Sequence, residues 1–202
     1  MNLIETIKLE NGKFANLELH QNRMNNSRQA LFGCDDEINL TSNLQAWTLE
    51  AEESEKYNIH KCRIIYNKKI QNIEIIPYKF PSITSLKFVI DDTIDYTFKY
   101  QKRDSIDKLF SRKEDCDDIL IIKNGIITDT SYCNILFYNG KKWLTPEKPL
   151  LKGVQRQFLI DNEIVETANI TPTDLQYFEK ARIINAMIEF ENELDIRINE
   201  IH

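Results

Sequence analysis

Residues 119–145 read ILIIKNGIITDTSYCNILFYNGKKWLT and contain two strand–turn–strand patterns in succession. Apolar and β-branched residues flank Asn124-Gly125 in the first pattern and Asn139-Gly140 in the second. Because Asn-Gly supplies the positive φ angles of a tight turn, each pattern predicts a β-hairpin. The C-terminal half of the chain is therefore expected to be rich in strands.

The N-terminal residues show the same pattern and then change to helical periodicity. Residues 3–9 and 14–19 flank Asn11-Gly12 and predict another hairpin. Residues 20–32 predict a helix, which we expect to end at Gly33 because glycine accepts the left-handed conformation at a helix C-terminus.

The next segment predicts a second helix and then strands. The helix is expected to begin at Thr41 or Ser42, with an inner face made of Leu44, Trp47 and Ala51. β-branched runs predict three strands that complete a first lobe, at residues 62–66, 70–76 and 86–90. The acidic stretch at residues 91–95 lacks a core pattern, so we expect the chain to cross to a second lobe there.

The second lobe is predicted to add helices to its strands. Residues 105–112 group their apolar side chains on one side, and a further helix is expected from Gly153 through residue 160. Thr171-Pro172 resembles an N-cap with proline in the first turn. The expected class is α+β, with a small N-terminal α/β lobe of residues 1–92 and a larger C-terminal lobe of residues 93–202.

Composition argues against several partners. A net charge of −6, spread over mixed acidic and basic stretches, does not favour nucleic acid or anionic lipid. No window approaches the roughly 20 apolar residues of a membrane span, so we expect a cytoplasmic protein. The four cysteines show no metal-ligand or disulfide spacing, which predicts reduced thiols and no bound metal.

Five blocks along the chain carry a family resemblance. They are Ile4-Glu5-Thr6 with LELHQNRM (17–24), FKYQKR (98–103), ITDTSYCNILF (127–137), TP with LLKGVQRQF (145–158) and RIINAM (182–187). In this order they resemble the class IV aminotransferase family, also called fold type IV of the enzymes that use pyridoxal 5′-phosphate (PLP), and especially its 4-amino-4-deoxychorismate lyases. The resemblance implies a D-amino acid aminotransferase-like fold, with a small α/β lobe and a strand-rich pseudo-barrel lobe. Relatives carry further strands before the first block.

Lys99 matches the family's catalytic lysine. The resemblance implies that its amine holds PLP as a Schiff base, in the C-terminal lobe. A lysine acts as a nucleophile only after it has lost its proton, so the side chain needs a sheltered pocket. A lysine picked at random would instead be solvated. We expect Lys102 and Arg103 to be solvated or structural.

Asp129 stands where the family places the carboxylate that meets the pyridine nitrogen, although relatives commonly have glutamate. A carboxylate there keeps the nitrogen protonated, so that the ring can withdraw electrons from the substrate Cα. Aspartate is one methylene shorter than glutamate. The alternative role for Asp129, beside Thr130, is to stabilise a turn.

The remaining blocks imply phosphate contacts. Arg23 matches the phosphate-binding arginine, whose guanidinium suits a dianion. We expect His20, three residues earlier on the same helix face, to be structural. Further donors would come from the start of a helix and from the last block, namely Gly153, Val154, Gln155, Asn185 and Ala186.

The resemblance implies an enzyme with a small-molecule amino substrate, no nucleic-acid or membrane partner, and a homodimeric assembly. The favoured reaction is aminodeoxychorismate lyase, which forms 4-aminobenzoate and pyruvate. Alternatives are a branched-chain or D-amino acid aminotransferase, or a noncatalytic relative. Glu5 and Thr6 are further candidates for lining the pocket.

Overall fold

The computed structural model describes residues 1–50 and 59–202, with side chains described outside residues 46–50. The chain forms two compact units. The first comprises Met1–Phe80 and Phe98–Lys102, and the second comprises Pro81–Thr97 and Arg103–His202. Both contain sheet and helix, which confirms the predicted α+β class.

The first unit contains a four-stranded antiparallel sheet in the order β2-β1-β3-β4. Its elements are β1 (Leu3–Glu10), β2 (Lys13–Phe14), α1 (Leu17–Phe32), α2 (Leu40–Glu50), β3 (Ile59–Tyr66) and β4 (Ile70–Pro77). Strand β1 alternates so that Leu3, Glu5, Ile7 and Leu9 are buried. Leu3 and Ile7 of this face pack in one cluster with Met24 of α1 and Leu44 of α2. Glu5 is thus a charged side chain on the face of β1 that points into the core.

Local signals placed most boundaries of the first unit correctly. Asn11 and Gly12 both have positive φ in the predicted turn, and Gly33 ends α1 with φ 63°. The expected strand over residues 14–19 is wrong beyond Phe14, because Asn16 adopts a left-handed conformation and α1 begins at Leu17. The inner-face assignments of Trp47 and Ala51 lie outside the described side chains.

The second unit contains an eight-stranded sheet, which bears out the expected richness in strands. Six strands follow the order β10-β9-β8-β7-β6-β5, β11 pairs with β8 and β12, and the pairs β5/β6 and β9/β10 are parallel. The elements are β5 (Leu86–Ile90), α3 (Asp104–Phe110), β6 (Asp118–Lys123), β7 (Ile126–Thr130), β8 (Asn134–Tyr138), β9 (Trp143–Pro146), α4 (Val154–Asp161), β10 (Val165–Ala168), β11 (Lys180–Ile184) and β12 (Asp195–Arg197). Thr171 caps a short 3₁₀ helix, Pro172–Tyr177, as its sequence predicted.

Strand β8 is where the second sheet branches. Along one edge, all five of its residues pair with β11. On the other edge Asn134 pairs with Asp129 of β7, whereas Phe137 and Tyr138 pair with β9. Asn134 is therefore the residue of β8 that pairs with β7. Its side chain is free to bind groups outside the sheet, such as the backbone of Leu151.

The compact units differ from the expected division between residues 92 and 93. Strand β5 belongs to the second unit because it pairs in parallel with β6. Lys99 belongs to the first unit because its carbonyl accepts a hydrogen bond from Ile4 N at 2.9 Å, next to a bridge between Leu3 and Tyr100. Both differences come from strand pairing between residues distant in sequence. Among the described residues, no helix is long and apolar enough to span a membrane.

Candidate functional site

Lys99 lies beside β1 in the first unit, within a tight turn in which Tyr100 N donates a hydrogen bond to Phe98 O at 2.9 Å. Lys99 is half-buried, and the rings of its two chain neighbours, Phe98 and Tyr100, meet edge to face with centroids 6.3 Å apart. The positive charge of Lys99 acts on His20 of α1. Burial, together with the charges of Arg23 and Lys99, lowers the pKa of His20, although the hydrogen bond to Glu5 opposes this shift. Lys99 therefore shares a polar neighbourhood with α1.

Glu5 is the centre of that neighbourhood. The Nε of Arg23 donates to Glu5 Oε1 at 2.9 Å, and Arg23 Nη2 donates to Glu5 Oε2. His20 Nδ1 lies 2.6 Å from the same Oε2. His20 and Arg23 reach one carboxylate because residues three apart on a helix share a face. Burial raises the pKa of Glu5, but the charge of Arg23 and the hydrogen bond from His20 outweigh it and lower the pKa to about 2.

This network fixes the position of Arg23, the predicted phosphate ligand. Two guanidinium atoms bind one fully buried carboxylate, while the Arg23 side chain keeps 16% of its surface exposed. A planar guanidinium that binds one group through two of its N–H donors can still offer its remaining N–H donors to a second group. The arrangement allows Arg23 to meet an anion, and its phosphate contact stays a prediction.

Asp129 occupies β7 of the second unit, opposite Asn134 on β8, and is 5% exposed. Its Oδ1 accepts a hydrogen bond from Asn134 Nδ2 at 2.7 Å, and its Oδ2 accepts one from Leu151 N at 2.9 Å. Asn134 Nδ2 also donates to Leu151 O at 2.9 Å. The carboxylate, the amide and the Leu151 backbone thus form a closed hydrogen-bonded ring, which we call the Asp129 ring.

The environment of Asp129 suits a group that meets a cation. Burial raises its pKa to about 6, even though the Leu151 N–H, the Asn134 amide and the charge of Arg156 all lower it. A carboxyl group with this pKa is mostly ionised at neutral pH, although burial makes its negative charge unfavourable. A protonated nitrogen placed next to it would stabilise the ionised form.

The predicted helix N-terminus is present, with Gly153 as the N-cap of α4 and Val154 and Gln155 buried in its first turn. Gly153 also has a packing role. A Cβ on this residue would lie 1.9 Å from Asn134 Oδ1, so the Asn134 amide fills the space that any side chain at 153 would need.

Arg156, one turn along α4, supplies the positive charge near Asp129. Its Nη2 donates to Pro146 O at 2.8 Å, and its Nε is buried without a hydrogen-bond partner in the part of the chain that the structure describes. Burial lowers the pKa of Arg156, while the Asp129 charge opposes that shift.

Asn185 and Ala186 follow the end of β11 and are half-buried. Asn185 Oδ1 accepts hydrogen bonds from Met187 N at 2.8 Å and Ile188 N at 3.0 Å. Its Nδ2 donates to Cys133 Sγ at 3.1 Å. The Asn185 side chain therefore stabilises the turn that follows it and links this turn to Cys133. Its contact with a phosphate stays a prediction.

The structure groups the predicted site residues by unit. Arg23 and Lys99 share the first unit, and the second holds Asp129, Gly153, Val154, Gln155, Asn185 and Ala186. Sequence reasoning missed the buried anchor role of Glu5, the amide of Asn134 and the charge of Arg156. For Asn134 a signal existed, because a short turn between two strands brings positions 129 and 134 opposite each other.

Comparisons with known proteins add family-level information. The sequence model of the family described as amino-transferase class IV matches residues 105–190, a range that includes Asp129, Gly153 and Asn185. An uncharacterised protein of Haemophilus influenzae is 38% identical over 187 residues, covering 92% of this chain and 97% of that protein.

Solved structures are similar over nearly the whole chain. A Haemophilus somnus protein provisionally named a 4-amino-4-deoxychorismate lyase is 32% identical, with a TM-score of 0.87 and coverage of 94% of this chain and 97% of that one. A hypothetical aminotransferase of Mycobacterium tuberculosis in its PLP-bound form shares the fold at 14% identity, with a TM-score of 0.78 and coverage of 99% and 81%.

Proposed function

The chain belongs to the class IV aminotransferase family, and from this premise we propose that it is a PLP-dependent 4-amino-4-deoxychorismate lyase. The structural observation that supports PLP dependence most directly is the hydrogen bond from Ile4 N to Lys99 O at 2.9 Å, which places Lys99 beside the strand that carries Glu5. His20 and Arg23 both bind the Glu5 carboxylate. The lyase assignment rests on similarity to the Haemophilus somnus protein, whose provisional name is this activity.

The residues present fit the cofactor chemically. PLP offers an aldehyde, a phosphate and a ring nitrogen, and a protein must meet them with an amine, cationic donors and a carboxylate. The amine of Lys99, the guanidinium of Arg23 and the buried carboxylate of Asp129 are groups of these three types. When bound, PLP supplies an electron-withdrawing ring that stabilises negative charge at the substrate Cα.

Lys99 has two proposed tasks. Its Nζ would hold the cofactor through the aldehyde group, and when it is not bound in this way the same Nζ would act as the base that accepts a proton from the substrate. Phe98 and Tyr100, the residues on either side of Lys99, pack against the hydrophobic core of the first unit and so help to hold its backbone in place. In the lyase, proton loss accompanies departure of pyruvate, and formation of the aromatic ring of 4-aminobenzoate favours product.

The other proposed roles concern charge. Asp129 holds a proton on the ring nitrogen, because its buried carboxylate gains from a cationic neighbour. Arg23 binds the phosphate through the guanidinium edge that Glu5 does not use. Gly153, Val154 and Gln155 add backbone donors at the start of α4, with Asn185 and Ala186 as further candidates.

An aminotransferase acting on branched-chain or D-amino acids is the second candidate, because the matched family is described by that activity. The two reactions use the same PLP and Lys99 but release different products. We also propose a homodimer, which is the usual assembly of fold type IV relatives. Light scattering on the purified protein tests this assembly, with a mass of one chain as the contrary result.

The deciding assay offers two sets of substrates to the same PLP-loaded protein. One set is 4-amino-4-deoxychorismate alone, and the other is branched-chain or D-amino acids with 2-oxoglutarate. We expect 4-aminobenzoate and pyruvate in equal amounts from the first, and no keto acid from the second. Formation of keto acids would favour the aminotransferase, and failure to take up PLP would favour a noncatalytic relative. The Lys99→Ala variant is the matched control for uncatalysed reaction.

A further inference from the structure

The Asp129 ring depends on one side chain that binds two acceptors. Asn134 Nδ2 donates both to Asp129 Oδ1 at 2.7 Å and to Leu151 O at 2.9 Å. A carboxamide nitrogen carries two protons, so one Asn134 side chain can make both bonds at once. An aspartate, alanine or leucine at this position could make neither.

The surroundings hold Asn134 in this orientation. It is 5% exposed, and its Oδ1 occupies the space beside Gly153 that a Cβ would require. Strand β8 fixes its backbone through the pairing of Asn134 with Asp129 on one side and with Ile184 on the other. Turning the amide away from the carboxylate would break both of its hydrogen bonds, to Asp129 Oδ1 and to Leu151 O.

Asp129 needs this donor because it is buried. An ionised carboxylate inside a protein is stabilised by hydrogen bonds to its charged form, and each bond withdrawn favours protonation. The groups acting on Asp129 are the Asn134 amide, the backbone of Leu150 and Leu151, and the charge of Arg156 on α4. Among these, Asn134 is the neutral side chain, and it can be changed without removing a charge.

We propose that Asn134 is a positioning residue that orients the carboxylate of Asp129 and keeps it ionised, and so decides the pH range in which the protein accepts a protonated ring nitrogen. This inference rests on the proposed role of Asp129 toward PLP. It assigns to Asn134 a function that acts through Asp129 and requires no contact with substrate.

The first test follows Asp129 directly in the full chain after removal of PLP. The carboxyl carbon of labelled aspartate is titrated by NMR, and the Asp129→Asn variant identifies the signal. In Asn134→Ala the midpoint should rise by about one to two pH units, the equivalent of one hydrogen bond to a charged group. Asn134→Leu, which keeps a side chain branched at Cγ, should show the same rise and guards against collapse of the smaller variant.

Thr128→Val is the matched control. Thr128 lies next to Asp129 on β7, is buried, and donates its Oγ1 hydrogen bond to Ile121 O at 2.9 Å. It therefore loses one buried hydrogen bond without touching the Asp129 ring. The midpoint of Asp129 should stay where it is in the unmodified chain. An unchanged midpoint in folded Asn134→Ala and Asn134→Leu would overturn the inference.

The second test measures PLP binding against pH. Asn134→Leu should bind PLP about tenfold more weakly near neutral pH, and the deficit should shrink above the raised midpoint, where Asp129 is ionised again. An equal loss at every pH would mean a purely structural role and would contradict the inference. If the unmodified chain binds no PLP at any pH, the proposed function fails, while the NMR titration still decides what Asn134 does to Asp129.

Discussion

Arg23 binds both carboxylate oxygens of Glu5, a side chain with no exposed surface. Removing one member of such a pair leaves a poorly compensated charge inside the protein. We predict that Glu5→Gln lowers the free energy of unfolding by about 3 kcal/mol. Urea denaturation of the PLP-free protein measures this change.

The matched control is a pair of the same charge type on the surface of the same sheet. Arg63 Nη1 and Glu74 Oε1 lie 2.9 Å apart across β3 and β4, with their side chains 33% and 37% exposed. Glu74→Gln should cost about 0.5 kcal/mol or less, because water screens exposed pairs. Equal costs for the two substitutions would show that Glu5 is not an energetic anchor for Arg23.

Asp129 should make stability depend on pH in the direction opposite to Glu5. Burial raises the pKa of Asp129 from 3.8 to about 6, so between these values the folded chain binds more protons than the unfolded chain. The contribution of Asp129 to the stability of the wild-type chain therefore falls as pH rises through this range. We predict that the stability of Asp129→Asn relative to wild type improves by about 2 kcal/mol between about pH 4.5 and about pH 8.

The measurement is urea denaturation of both PLP-free proteins at the two pH values. A stability difference that does not change with pH would mean that Asp129 titrates alike in the folded and unfolded chains. The same variant should bind PLP more weakly, since the ring nitrogen loses its anionic partner. A relative stability that improves as pH rises, together with weaker PLP binding, is the expected signature of a buried functional acid.

Lys99 should be the attachment point of PLP. Borohydride reduction followed by peptide mass mapping should place the cofactor mass on Lys99 in the unmodified chain and nowhere in Lys99→Ala. Loss of the positioned base should lower activity by about 10²–10⁴-fold. Lys102 is exposed and three residues away, so Lys102→Ala is the control and should keep both the adduct and the activity. An adduct on another lysine would remove the basis of the proposed function.

Gly153 and Asn134 should be energetically coupled. Gly153→Ala places a Cβ against Asn134 Oδ1 and should cost about 1–3 kcal/mol, the usual cost of overpacking. In an Asn134→Ala background the space is empty, so the same substitution should cost much less. A double-mutant cycle by urea denaturation tests this coupling. Additive costs would mean that Gly153 is required by the backbone and not by the amide.

Much of the fold follows from local patterns. The Asn-Gly turns, the alternation along β1 and the glycine at the end of α1 depend on neighbouring residues, and they are visible in the sequence. The placement of β5 is not, because its partner β6 lies some thirty residues further along and several strands compete for it. The placement of Lys99 in the first unit could not be predicted either, because it depends on pairing with residues near the N-terminus.

The sequence predicted which residues could form the candidate site, but it did not predict the hydrogen-bond partners that hold them. Family blocks point to Lys99, Asp129 and Arg23, but a matching block does not say which partners hold each side chain. The Glu5 network joins a strand to a helix, and the Asp129 ring joins β7, β8 and the backbone at Leu151. Such contacts depend on tertiary packing, which no local pattern encodes.

The segment Phe98–Lys102 carries a consequence for biosynthesis. These five residues belong to the first unit although Pro81–Thr97, just before them, belong to the second. A ribosome must therefore release the chain beyond residue 102 before the N-terminal sheet can acquire its last bridge, between Leu3 and Tyr100. Lys99 would then be among the last residues of that unit to be ordered, and a nascent chain stalled before this point would expose an incomplete β1 edge.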